Sequence, residues 1–348
     1  MTRPRRPRAT IHDVARHAGV SITTVSHALN GKGVVAAATR QRVIDTAEEI
    51  GYSANVIARG LRGNRLGVLG LVIRPLEDLD SYQPEGVDYF MRFAGAAAVE
   101  ALDRGFGLML VRDPTAGALP DIALAVDGFI ISDPVANDPV IALLDRHGIP
   151  VVTVGRDTER PEFTDWVETG TTTDGRAVVN ALVDRGAKRI ALVTGTDSNA
   201  WNADSDLSYR TWAAEFEHDE IVYHEDERSG EAGGRAVAER MLAAVTAGDA
   251  KLPDAIYCLT GRHAAGLQKR LQEAGYDIPA DVMIVAGSDS EQTRNSTPPI
   301  TSVDLVPEAT AKAAVDFLLR RLDGDTEGSS PFVENVLRFR ESTNRSLL

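Results

Sequence analysis

Between Ile22 and Asn30 the chain places Thr23, Thr24, Ser26, His27 and Asn30, a run of short polar side chains. Hydroxyl, imidazole and carboxamide groups of this length reach base edges and phosphates without covering them. Val25 and Leu29 interrupt the run at helical spacing and turn the opposite way. Chemistry of other kinds is poorly provided for. No GxGxxG, Walker, HExxH or GxSxG pattern occurs. The seven histidines are scattered, and none pairs with another at metal-ligand spacing. His263 follows a strand near the cleft face of the body without an obvious partner. The single cysteine, Cys258, sits in the apolar run Ala255–Leu259 and reads as a buried strand residue, so neither a disulfide nor a cysteine metal pair is available within the chain. No catalytic residue, metal or cofactor is expected.

The elements around the polar run are legible. Ile11, Val14, Ala15 and Ala18 share one face of a first helix, with Thr10 as its N-cap, Asp13 three residues on, and Gly19 as its stop. Ser21 caps a second helix over Ile22–Leu29, and the tight turn between the two makes a helix-turn-helix. A third helix over Ala38–Ile50, with Thr39 near its start, turns Val43, Ala47 and Ile50 inward to close a small core. Asn55 then caps a short segment through Arg62 that contains Gly60, about 1 kcal/mol less favourable in a helix than alanine. So short a helix is not stable alone. Leu61, flanked by Arg59 and Arg62, is an isolated apolar residue set apart by Gly63-Asn64-Arg65 from the apolar run that it could otherwise begin. Residues 1–64 hold ten lysines and arginines against four acids, a net +6, whereas the whole chain is −14. A basic head on an acidic body is the charge split expected when one end meets a polyanion. Met1–Arg8, rich in proline and arginine, reads as a phosphate-touching arm rather than a signal peptide. No stretch is long and apolar enough to span a membrane.

From Leu66 the pattern becomes strands alternating with helices. Strands are expected at Leu66–Ile73, Gly107–Val111, Gly128–Ile131, Ile149–Val154, Arg189–Val193, Ala255–Leu259, Val282–Val285 and Phe332–Phe339. Helices are expected at Asp88–Arg104, Asp138–His147, Arg176–Arg185, Ser208–Glu217, Gly234–Ala247, Arg262–Ala274 and Pro307–Arg321. Arg156–Glu168 reads as a polar break between two arrays. Two βα arrays in succession give an α/β fold with two doubly wound subdomains, and the cleft between them is the default ligand site. Trp201, read as lying in a polar loop after a strand, offers a ring for stacking on an apolar sugar face.

Thr10–Gly63, and Thr23-Thr24-Val25-Ser26-His27 in particular, resembles the DNA-binding headpiece of the LacI/GalR family of bacterial transcription regulators, of the purine-repressor type. The likeness extends less closely over the body, through Asp127-Gly128-Phe129-Ile130, Ile149-Pro150-Val151-Val152, Gly186–Ala191 and Thr297–Val303. It implies that the second helix enters the major groove, with Ile22, Thr23 and His27 at base-reading positions and Thr24, Ser26 and Asn30 steadying it on the backbone. Many members carry arginine at the position of His27, and Ile22 is unusually apolar there, suited to a thymine methyl. The resemblance makes 55–62 a hinge helix that folds against DNA and pairs with its dimer mate, with Ala58, Leu61 and Arg62 at the minor groove. It implies a body similar to periplasmic sugar-binding proteins, with an N-subdomain of 66–157 and 291–323 and a C-subdomain of 158–290 and 324–348. Arg210 and Asp289 fall on the family's effector-binding arginine and aspartate, and Tyr89 near an aromatic that flanks the ligand. Two departures stand out. Thr260-Gly261 and Gly170-Thr171 replace customary Asn-Asp and Asp-Asn pairs, removing two polar anchors.

The expected protein is thus a cytoplasmic, nucleoid-associated homodimer that binds a pseudo-palindromic operator and answers to a small-molecule effector such as a sugar. A secreted solute-binding protein would explain the body but neither the headpiece nor the missing signal peptide. An enzyme of the same α/β class would leave the headpiece unexplained.

Overall fold

The computed structural model describes residues 9–29, 33–52, 65–74, 88–117, 121–325 and 327–345. The chain divides after Gly67 into two compact units. Asn30, the hinge segment 55–62 with Ala58, Leu61 and Arg62, and the arm before Ala9 lie outside the described residues.

The first unit is a three-helix headpiece. α1 (Ile11–Ala18) starts at a reciprocal capping box, in which Thr10 and Asp13 each bond the other's backbone N–H, and stops at Gly19 with φ 66°. α2 (Ile22–Leu29) starts where the Ser21 hydroxyl accepts the Thr24 N–H at 3.1 Å. α3 (Ala37–Glu49) begins and ends one residue before the expected span, with Ile50 as its C-cap. Val14, Val25 and Val43, one from each helix, are completely buried and meet with Ala18, Ala28 and Ala47 in one small core. Arg40 of α3 donates to the Ala28 carbonyl at 2.9 Å, fixing α2 by its C-terminal turn.

The second unit holds two sheets. The first comprises β1 (Val68–Ile73), β2 (Gly107–Leu110), β3 (Gly128–Ser132), β4 (Val151–Val154) and β5 (Trp166–Val167), in the order β2-β1-β3-β4-β5 and parallel throughout. The second comprises β6 (Ile190–Thr194), β7 (Val222–His224), β8 (Ala255–Cys258), β9 (Met283–Ala286), β10 (Thr301–Asp304) and β11 (Val336–Arg338), in the order β11-β10-β9-β8-β6-β7. Only β11 runs antiparallel to its neighbour. Both sheets follow the doubly wound order, with apolar clusters on both faces, which is why their strands read as unbroken apolar runs.

α4 (Asp88–Asp103) and α5 (Pro139–Arg146) flank the first sheet. α6 (Thr171–Asp184), α7 (Ala200–Glu215), α8 (Gly230–Ala247), α9 (Gly261–Glu273) and the short α10 (Glu291–Asn295) belong with the second. α11 (Pro307–Leu322) returns to the first sheet and packs on α4. α8 and α9 approach very closely: a Cβ on Gly234 would lie 2.0 Å from the His263 carbonyl oxygen, and one on Gly266 1.9 Å from that of Glu231.

Several expectations need correction. The polar stretch 156–168 contains β5, whose Val167 is fully buried, so the first lobe extends to Val167 rather than to residue 157. β10 pairs with β9 and α10 precedes it on the same lobe, so residues 291–304 belong to the second lobe and only α11, from Pro307, returns to the first. β7, a short edge strand in a charge-rich region, and α10 carry too little apolar periodicity to announce themselves. α6 and α7 begin five and eight residues earlier than expected, because their first turns are built of threonine, asparagine, aspartate and alanine. The Asn199 side chain caps α7 by accepting the Asn202 N–H at 2.9 Å. The last strand is confined to Val336–Arg338, with Phe332 making only an isolated bridge to Glu168.

Candidate nucleic-acid interface and ligand cleft

On α2, Ile22, Thr23 and His27 are exposed, Thr24 and Ser26 are half-buried, and Val25 and Ala28 form the buried face. Ile22, 42% exposed, is an apolar side chain presented to solvent beside two polar ones. The Thr24 hydroxyl lies 2.8 Å from that of Ser21, so its orientation is tied to the cap of the helix. The His27 ring lies over Gly33, where a Cβ would come within 2.6 Å of Nδ1 and φ is 70°. A side chain there would displace the imidazole. α2 therefore offers an exposed row able to donate, accept and make apolar contact, held on a rigid three-helix base.

In the body, the carboxyl ends of the parallel strands deliver residues to a cavity of about 280 Å³ between the two lobes. Asp133 follows β3, Arg156 follows β4, Asp197 follows β6, Thr260 follows β8 and Asp289 follows β9, as the doubly wound arrangement requires. Tyr89, Trp166, Trp201 and Phe332 supply rings to the walls. Tyr89 rests edge-on against Phe90 and stacks on Phe93, with centroids 5.1 and 6.3 Å away. Burial, with nearby Asp133, raises its phenol pKa.

The acids differ in state. Burial pushes Asp133 up to about 6; the Ser132 hydroxyl opposes this and the charge of Asp197 adds to it. Asp197 is also raised, by burial and then by Glu227. Asp289 shows the reverse. Its burial is outweighed by hydrogen bonds from Arg340, Ser302, Thr293 and Arg294, which hold it at about 2. Ser302 and Thr293 donate at 2.7 and 2.9 Å, and Arg340 and Arg294 at 2.8 and 3.0 Å. Asp204, on α7, pairs with Arg156. Arg262 donates to the Glu227 carbonyl at 3.0 Å, and burial lowers its pKa.

Tyr89, Trp201 and Asp289 thus line the cleft, while Arg210 does not. Arg210 bonds Asp206 at 2.7 Å and Glu220 at 2.6 Å on the outer side of α7, with 40% of its side chain exposed. The early start of α7 explains the correction. Its cleft-facing turn runs from Ala200 to Asp204, and Arg210 lies six residues further, about 9 Å along the axis and turned away. Trp201 belongs to that first turn and not to a loop. Asp133, Arg156, Trp166, Asp204 and Arg262 were missed. Position just beyond a strand's carboxyl end would have marked Asp133 and Arg156. The two departures also line the cleft. Thr260 caps α9 by accepting the His263 N–H at 3.2 Å. A Cβ at Gly261 would meet the Ser290 hydroxyl at 2.5 Å. Gly170, at φ 39°, opens α6 and brings Thr171, Thr172 and Thr173 to the cavity. His263 is buried, with Nε2 3.2 Å from the Ser229 hydroxyl and 3.1 Å from the Asp226 carbonyl, and does not face the cleft. Cys258 is buried, as expected. Among the described residues no cluster of histidine, cysteine and acids suits a metal ion, and no helix is long and apolar enough to cross a membrane.

A helix-turn-helix with an exposed polar and apolar row, in a chain whose two-lobed α/β body holds a ligand-sized cleft, defines a DNA-binding transcriptional regulator. The chain is similar to the LacI family of bacterial regulatory proteins. Residues 10–55 match the family profile "Bacterial regulatory proteins, lacI family", and residues 179–343 match "Periplasmic binding protein-like domain". The HTH-type transcriptional repressor PurR of Vibrio campbellii is 27% identical over 326 residues, covering 90% of this chain and 92% of the relative. The HTH-type transcriptional regulator CelR of Thermobifida fusca is 28% identical over 349 residues, covering 97% and 99%. Two solved structures share the fold. A lac repressor dimer bound to operator and the anti-inducer ONPF superposes with TM-score 0.79 at 22% identity, covering 97% of this chain and 99% of that one. A CelR–cellobiose complex gives 0.68 at 24% identity, covering 96% and 100%.

Proposed function

We propose that the protein is a repressor that binds a pseudo-palindromic operator as a homodimer and changes its operator affinity when a sugar or related metabolite enters the cleft. The observation that carries the reading is the exposed row Ile22, Thr23 and His27 on α2, in a chain whose body has an aromatic- and carboxylate-lined cavity. Ile22, Thr23 and His27 read base edges, Thr24 and Ser26 steady α2 on the backbone, and Asn30, Ala58, Leu61 and Arg62 extend the interface. Two-fold symmetry in the protein matches two-fold symmetry in the operator. Tyr89 and Trp201 take the apolar face of a sugar ring. Arg156, Asp204, Arg262 and the threonines of α6 meet its hydroxyls, while Asp289 organises the wall rather than holding ligand. The protein performs no catalysis and works in the cytoplasm, where the chromosome is.

The test is a fluorescence-anisotropy titration of promoter DNA from the protein's own locus, preceded by a thermal-shift screen of mono- and disaccharides and nucleosides. Salt-resistant preference for one promoter segment, altered by a ligand that also raises the melting temperature, is the expected result. Equal affinity for that segment and for random DNA would reject the reading.

A further inference from the structure

The lobes of the body are tied across the cleft by residues of the chain itself. After β3, Ala136 donates its N–H to the Ser198 carbonyl at 2.7 Å, and Val135 forms an antiparallel bridge with Asn199. On α10, Arg294 reaches Asp88, at the start of α4, at 2.9 Å. The third tie, Arg156 to Asp204, joins the end of β4 to the first turns of α7 and forms part of the cavity wall. Among the described residues each of this pair is the other's only charged partner, and Asp204 keeps just 15% of its side-chain surface. Close to these ties the cavity lining carries two like charges, Asp133 from the first lobe and Asp197 from the second, and the charge of Asp197 disfavours ionisation of Asp133.

We propose that Arg156 and Asp204 form a latch that holds the cleft closed by the chain's own charges, against the repulsion between Asp133 and Asp197. An ion pair between bodies that can separate biases their equilibrium by whatever it contributes only in the closed arrangement. Here both partners are partly withdrawn from water, and charge-assisted hydrogen bonds in such places exceed neutral ones. A ligand entering the cavity meets a guanidinium and a carboxylate already satisfied by each other. It must either insert between them, supplying an acceptor to one and a donor to the other, or leave the latch intact. The open–closed balance is therefore set in part before any ligand arrives.

Amide hydrogen exchange of the full-length protein, without DNA or added ligand, tests this apart from the operator and effector reading. Segments 133–138 and 197–201 report closure, and the β1 and β8 strands report global stability. Asp204→Asn and Arg156→Gln should each speed exchange at Ala136 by about tenfold while β1 and β8 are unaltered. The double reversal Arg156→Asp with Asp204→Arg should restore most of the protection. Unchanged exchange at Ala136 in both single variants would overturn the latch. So would a reversed pair no better protected than the single variants, which also decides the matter if either single variant loosens the whole fold.

Discussion

Asp133 and Asp289 line the same cavity, yet their surroundings push their carboxyls in opposite directions. Burial raises Asp133, so its protonated form is favoured in the folded state. Its contribution is present below the unfolded value near 4 and is lost as pH rises through about 6. Asp133→Asn should therefore raise stability at pH 7, by at most about 3 kcal/mol, and have little effect at pH 4. Asp289, held at about 2 by its four donors, contributes stability above pH 4 that disappears as pH falls toward 2. Asp289→Asn should lower the urea midpoint at pH 6 and flatten its fall between pH 5 and 2. On α2, Thr23→Ala and His27→Ala should each cost about 1–3 kcal/mol of operator affinity. Parallel anisotropy titrations on operator and scrambled DNA check this, and equal losses on both would remove the base-reading role. At this scale sequence reading was uneven. Tyr89, Trp201 and Asp289 lie on the cavity wall, whereas Arg210 lies away from it because its position depends on where α7 begins. Asp133 and Arg156 needed only the rule that strand ends feed the cleft.

Helices whose limits are set by caps and apolar spacing were legible from residues alone. α1 and α2 fall on the expected spans because Thr10, Gly19 and Ser21 punctuate them. α6 and α7 start earlier than periodicity suggests, since the first turn of α6 is the polar run Thr171-Thr172-Thr173 and the first turn of α7 buries the polar Asn202. β5 and β7 are too short to show an alternation. The crossing of α8 and α9 is another case, because glycine normally argues against a helix. Gly266→Ala would gain about 1 kcal/mol in an isolated helix. Here the added methyl meets a backbone carbonyl, which cannot rotate aside, so the variant should instead lose about 1–3 kcal/mol. Urea denaturation of the full chain decides the sign, and a stabilised Gly266→Ala would mean that the two helices can separate without cost.

The division of charge and the exposed apolar surface belong to the whole molecule. Met91, Val99 and Leu102 form one stripe on α4, and Leu110 ends the edge strand β2; all four are largely exposed. Their place on the first lobe makes them the expected centre of a dimer contact. A carboxylate at Leu102 would have to be buried there without a partner, so Leu102→Asp should raise the dimer dissociation constant at least about 100-fold. Sedimentation velocity across micromolar concentrations would show it, and an unshifted dimer would place the contact elsewhere.

The three tryptophans are divided in an experimentally convenient way. Trp166 and Trp201 border the cavity, whereas Trp212 is 1% exposed and stacked on His218 with centroids 4.5 Å apart. Light emission from the native protein is thus a signal from the cleft laid over a constant background from the core. A sugar that displaces water from Trp201 should shift that emission to shorter wavelength. Trp201→Phe should remove most of the shift, while Trp212→Phe should leave it in place. The chain carries its own optical probe, and a search for its natural effector can begin with unlabelled protein in a cuvette.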